Sequence, residues 1–191
     1  MTPIYEIRAR RKAEQEALVN GTYGVLLIDM QEFFISNLHP TDLTKMLKKQ
    51  LRVMEYCKKL DVPVVALYCC NDQMYNYGDI ESTILEKVWD VPRYDVIGKE
   101  HDDAFFCNDK LEETLSEWEL DTLLFMGIND CVCVKESAEG ATGLEYKIST
   151  ARGLISSPRM AGIYDGEYFK EKGIYHSSST EIFELFESIR R

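Results

Sequence analysis

Three residues of this 191-residue chain have types and positions suited to chemistry: Asp29, Lys99 and Cys133. Cys133 follows the apolar run Thr122-Leu123-Leu124-Phe125-Met126 and stands near the start of an amphipathic segment. The unpaired N–H groups and positive dipole of a helix start favour a thiolate, which would draw the thiol pKa down toward neutrality. Asp29 closes the run Tyr23-Gly24-Val25-Leu26-Leu27-Ile28, and a carboxylate so placed could carry a proton. Lys99 lies just past Tyr94-Asp95-Val96-Ile97, at the end of a third apolar run. Taken singly, each has a plainer reading: a core thiol, a helix cap or ion-pair partner, and a solvated lysine. Cys131, two residues before Cys133, cannot share its direction and reads as a structural thiol.

Only a sheet could bring the three together. Short apolar runs alternate with longer amphipathic segments, which predicts βαβ units with right-handed crossovers around a mostly parallel sheet. Ligands of such sheets bind beyond the carboxyl ends of the strands, where all three residues fall. The run over 23–29 is almost continuously apolar, as a strand covered on both faces must be. A helix is expected over 41–60, where Leu43, Met46, Leu47, Leu51, Met54 and Leu60 form one stripe. Asp61-Val62-Pro63 breaks it before a second strand over 64–68. Further strands are expected over 94–97, 122–126 and, more weakly, 147–150. Helices are expected over 110–120 and 132–142, the latter with Gly143 as its C-terminal cap. Ser178 and Glu181 form a capping box for a last helix whose apolar face is Ile182, Phe183, Phe186 and Ile189.

Around the three residues the sequence is similar to a known family. Asp29-Met30-Gln31-Glu32-Phe33-Phe34 resembles the Asp-Met-Gln-x-x-Phe motif that opens the isochorismatase-like cysteine hydrolases, relatives of nicotinamidase and N-carbamoylsarcosine amidohydrolase. Val96-Ile97-Gly98-Lys99, followed by Asp103-Ala104-Phe105, resembles the segment that carries the family's catalytic lysine. Gly127-Ile128-Asn129-Asp130-Cys131-Val132-Cys133-Val134 resembles the Gly-Ile-x-Thr-x-x-Cys-Val motif around its nucleophile. The resemblance covers residues 22–150 and implies a single-domain, three-layer α/β/α fold of Rossmann-like type over 21–191. Residues 1–20 would be a helical extension. It further implies that Cys133 attacks a carbonyl and forms a thioester, that Asp29 moves the proton, and that Lys99 holds Asp29 ionised. An oxyanion hole would come from the backbone N–H groups of Asn129 and Cys133, with a cis peptide between Ile128 and Asn129. Phe34, Tyr68 and Phe105 would bind the substrate, with Cys70, the loop over 71–90 and His101 completing the pocket. Tyr75 and Tyr77 in that loop read equally as lid aromatics or as exposed tyrosines, and Trp89 either lines the pocket or, more simply, anchors the loop. Assembly as a homodimer or homotetramer is also implied.

Some positions depart from the family pattern. Metal-dependent members carry an Asp and two His residues after the second strand, but this stretch reads Tyr68-Cys69-Cys70-Asn71-Asp72-Gln73. His39, His101 and His176 are scattered, so neither a metal nor another cofactor is expected. Asp130 replaces the motif's Thr, and a carboxylate facing the thiol would raise its pKa, so it is expected to point away or to meet a cation. A thiol pair, Cys131 with Cys133 or Cys69 with Cys70, leaves a redox protein as an alternative. A binding subunit without activity is another, as is vinyl-ether cleavage by Asp29.

Composition narrows the partners. The net charge of −11 is the opposite of what a polyanion binder needs, so no nucleic acid is expected despite the local run Arg8, Arg10, Arg11 and Lys12. No apolar stretch reaches membrane-spanning length, and residues 1–20 lack the apolar core of a secretory signal. A cytoplasmic enzyme with a small-molecule substrate is the expectation.

Overall fold

The structure is a computed structural model and describes residues 22–70, 77–158 and 166–189. The expected extension over 1–20, Tyr75 and the basic run lie outside the described residues. In chain order the elements are β1 (Tyr23–Ile28), α1 (Glu32–Ile35), α2 (Pro40–Leu60), β2 (Val64–Cys69) and α3 (Ser82–Trp89). There follow β3 (Tyr94–Lys99), α4 (Asp109–Glu117), β4 (Thr122–Ile128), α5 (Cys133–Gly143) and β5 (Lys147–Ala151). The chain continues through β6 (Ile155–Ser156), α6 (Glu167–Lys172), β7 (Ile174–His176) and α7 (Ser179–Ile189).

The strands form one seven-stranded sheet in the order β3-β2-β1-β4-β5-β7, with β6 paired to β4 and every pairing parallel. All six residues of β1 and all seven of β4 are buried, because helices cover both faces of the sheet. Val25, Leu27, Ala66, Leu124 and Met126 turn toward α2, α3 and α7, where Met54, Ile84, Phe183 and Phe186 meet them. Leu26, Ile28, Leu67, Ile97 and Phe125 turn the other way, toward Leu111 and Leu115 of α4, Ala138 of α5 and Phe169 of α6. The result is a single α/β/α domain.

The helix ends show what local chemistry decided. Pro40 opens α2, where its missing N–H costs nothing, and the Thr41 N–H donates to Nδ1 of His39. Asp61 ends that helix in the left-handed region at φ 57°, and Pro63 blocks its continuation. Two expected caps are placed differently. Gly143 is the last residue of α5 and Leu144 the cap, with no left-handed glycine turn. Glu181 turns its carboxylate to the Ser177 hydroxyl and the His176 ring, so α7 starts without the expected box. Side chains four and five residues back compete for that acid, which the capping-box pattern does not register. Among the described residues, no helix is long and apolar enough to cross a membrane.

Candidate active site

β1 lies between β2 and β4, and the chain reverses its direction of travel across the sheet there, opening a crevice beyond the strand ends. Register does the rest. Ile28 pairs with both Leu67 and Gly127, and Cys69 pairs with Lys99, so the exits of four strands lie side by side. Gly127 has φ 130°, and a Cβ there would strike the Ile28 carbonyl; β1 and β4 approach this closely only because the position is glycine. Asp29 leaves β1 at φ 49°, a left-handed turn that aspartate tolerates better than most residues.

That turn buries the Asp29 carboxylate completely and sets Oδ2 2.8 Å from Nζ of Lys99, itself 1% exposed at the side chain. The ammonium also donates to the His101 carbonyl at 3.1 Å. Cys133 opens α5, is 4% exposed, and has Asp29 within hydrogen-bonding reach. The structure therefore brings Asp29, Lys99 and Cys133 into one buried group. The peptide between Ile128 and Asn129 is cis, and α5 begins four residues later.

Electrostatics run against one expectation. Burial pushes the Cys133 thiol well above its ordinary value, and the Asp29 charge adds to this; Lys99 pulls the other way and loses. The helix start does not give a resting thiolate, because a second charge in a dry site next to carboxylates costs more than the dipole returns. Burial likewise raises Asp29, with Lys99 opposing, which makes it a stronger proton acceptor than a solvated carboxylate. For Lys99 burial alone would lower the pKa, but Asp29 and Cys133 together outweigh it and the ammonium stays charged. Burial and the neighbouring carboxylate thus favour the protonated thiol beside the ion pair.

Asp130 does not disturb this arrangement. Its carboxylate accepts from the Ser157 hydroxyl and, at 3.2 Å, from the Gly166 N–H. The carboxylate that does reach the sulfur is Asp102, whose Oδ1 accepts from Cys133 Sγ at 3.2 Å. Nothing in the sequence marked it, since it is one of two adjacent aspartates in a polar loop. Gln31 was also unassigned, although its place in the first motif was visible. Its amide receives the Cys69 N–H at 2.7 Å and donates to the carbonyls of Cys69 (3.2 Å) and Gly78 (2.9 Å), tying the exits of β1 and β2 together. Cys131 is turned from the nucleophile's partners toward the Ser157 hydroxyl at 3.5 Å.

The expected pocket residues divide. Tyr68, Cys70, Tyr77 and Trp89 line a cavity of about 920 Å³ beside α3, and Phe34 stacks on Tyr77 at 5.2 Å. Phe105 instead packs in the core against Tyr146, 5% exposed, and supports the loop after β3 without facing open space. An aromatic just beyond a polar loop reads equally as pocket wall or core anchor, and here the helix face of α5 claims it. His101 lies at the surface with its ring against Phe106 at 4.7 Å, His39 caps α2, and His176 meets Glu181.

Comparison with known proteins agrees with this fold. The fold is similar to that of MAR1 ribonuclease from Caenorhabditis elegans, with TM-score 0.71 and 15% identity over 90% of this chain and 88% of the other. It is similar to N-carbamoylsarcosine amidase from Thermoplasma acidophilum, with TM-score 0.67 and 19% identity over 82% and 96%. The nicotinamidase SaPncA from Staphylococcus aureus gives TM-score 0.68 and 19% identity over 82% and 98%. Identities this low speak for the fold alone, and no curated protein matches the chain significantly. The model of the isochorismatase domain matches residues 23–158, well over half of the sequence, and the chain belongs to the isochorismatase family of hydrolases.

Proposed function

We propose that the protein hydrolyses a C–N bond of a small amide or ureido compound through a thioester on Cys133. The observation that carries this is a buried, protonated thiol with a carboxylate of raised proton affinity beside it, itself paired to Lys99 at 2.8 Å. Asp29 takes the thiol proton as sulfur attacks the carbonyl carbon, so no free thiolate has to be stabilised. The backbone N–H groups of Asn129 and Cys133 receive the oxyanion. Asp29 then gives the proton to the departing ammonia or amine as the C–N bond breaks. Water, deprotonated by Asp29, attacks the thioester, releases the acid and restores the thiol. Lys99 remains charged throughout and keeps Asp29 available as a base. No cofactor enters these steps.

The test is ammonia release from a panel of small amides and ureido compounds by the wild type and Cys133→Ala. Loss of activity by a factor on the order of 10⁴ or more supports the thioester route. Ammonia release that survives would discard the thioester in favour of direct attack by water that Asp29 deprotonates, whereas a chain that releases no ammonia but cleaves a vinyl ether would point to acid catalysis by Asp29. RNA serves as a control substrate, and the net charge of −11 opposes its binding.

A further inference from the structure

We propose that Asp102 sets the charge preference of the site and selects a small amide or ureide that carries a cationic group, an ammonium or guanidinium, near the scissile bond. The inference rests on the hydrolase reading above and names its substrate class.

Asp102 is exposed, whereas Cys133, whose sulfur donates to it, is almost fully buried. The carboxylate therefore links the buried sulfur to a residue at the surface, within hydrogen-bond distance of any group that approaches the thiol from that side. Its side chain has no evident task in holding its own loop. The Ser137 hydroxyl does that, donating to the Asp102 carbonyl at 3.1 Å and accepting from the Ala104 N–H at 3.0 Å. The next residue caps the turn: Asp103 Oδ1 accepts from the Phe105 N–H at 2.9 Å and packs against the bare backbone of Gly140. Two adjacent aspartates thus divide the work, one built into the loop and the other facing the nucleophile. Among the described residues, no cation pairs with Asp102.

The charges at the sulfur do not balance. Asp29 and Asp102 are two carboxylates against the single ammonium of Lys99, so the group holds one negative charge while the thiol is neutral. An anion developing on sulfur or on the carbonyl oxygen adds another. A cationic substituent offsets that charge, and a carboxylate substituent compounds it. The neighbouring cavity has the same sign. Among the described residues it is lined by the acids Glu32, Asp79 and Glu86 with the rings of Tyr68, Tyr77 and Trp89, and by no basic residue. Acids among aromatic faces suit an organic cation.

The preference can be read without knowing the substrate. Cys133 is alkylated by 2-bromoethylammonium, iodoacetamide and iodoacetate in turn, with halide leaving as sulfur bonds to carbon, and its modification is followed by peptide mass. In Asp102→Asn the rate ratio of the cationic to the neutral reagent should fall by about 10-fold, and that of the anionic to the neutral should rise. Asp102→Glu should keep the wild-type order, which separates charge from damage to the fold. An equal change in all three rates would overturn the proposal, leaving Asp102 a residue that only tunes the thiol. So would a Cys133 that none of the reagents modifies. In the hydrolysis assay, ω-amino amides should outrun their ω-carboxylate counterparts in the wild type and lose that lead in Asp102→Asn. If Cys133→Ala retained hydrolysis the parent reading would fail, while the alkylation order would still report on Asp102.

Discussion

Two regions a short distance apart on the sheet edge are built on opposite terms. At the exits of β1 and β4, Asp29, Lys99 and Cys133 are almost wholly shielded from water, and their positions follow from main-chain register and the closeness that Gly127 permits. Beside α3, the cavity is rimmed by exposed groups such as Glu86 and Trp89, the latter 55% exposed, on the side of the helix turned away from its buried Ile84 and Val88. Charge in the first region is unscreened, so moving one group disturbs all the others. Charge in the second is softened by water, and its side chains can change singly. The candidate reacting groups are held where fold and electrostatics cannot be separated, and the cavity's rim where they can.

Lys99→Met tests this most severely. It leaves the Asp29 carboxylate buried and uncompensated, and it should cost about 3–5 kcal/mol in denaturant unfolding together with the hydrolytic activity. Adding Asp29→Asn should restore most of the stability and none of the activity, since asparagine also tolerates the left-handed turn. A double variant that stayed unstable would mean the pair holds the fold and not only the chemistry. Gly127→Ala should cost roughly 3 kcal/mol, because the new methyl meets the Ile28 carbonyl and the backbone angle is strained as well. A loss under about 1 kcal/mol by thermal unfolding would show that the two strands can separate locally.

A pH series sharpens the same contrast. Burial raises the thiols of Cys57 and Cys133 in the folded chain, so they keep their protons where the unfolded chain has lost them. Stability from these groups is complete below the ordinary thiol value of about 8.5 and falls as pH rises beyond it. Lys99, also raised, adds to the decline from its ordinary value of about 10.4 upward. Urea midpoints at pH 7.5 and 10 measure the slope, and Cys57→Ala with Cys133→Ala should flatten it. The smallest effect belongs to the rim. Glu86→Gln should change stability by less than about 0.5 kcal/mol, as surface substitutions away from packed features do. A larger loss of unfolding free energy would show that the rim is part of the framework.

The parallel sheet could be read from residue order because β1 and β4 are buried on both faces, and a strand with no solvent side must be apolar throughout. Helix α2 was legible for the complementary reason, a stripe at helical spacing bounded by Pro63. The short elements α1, β6, α6 and β7, of two to six residues, are too brief to show a periodicity and left no such trace. For the strands β6 and β7 the pairing partners are remote in sequence, as Gly127 N–H to the Leu154 carbonyl beside β6 illustrates.

The candidate site divides in the same way. Asp29, Lys99 and Cys133 could be named from the chain alone, since residue type and position at a strand exit are local properties. Their mutual distances, the protonated state of the thiol and the presence of Asp102 beside it were decided only by tertiary structure. A pKa depends on what lies within a few ångströms and on how little water is left there. Sequence order does not encode either quantity directly, whereas burial and crossover topology place residues 29, 99, 102 and 133 around one sulfur.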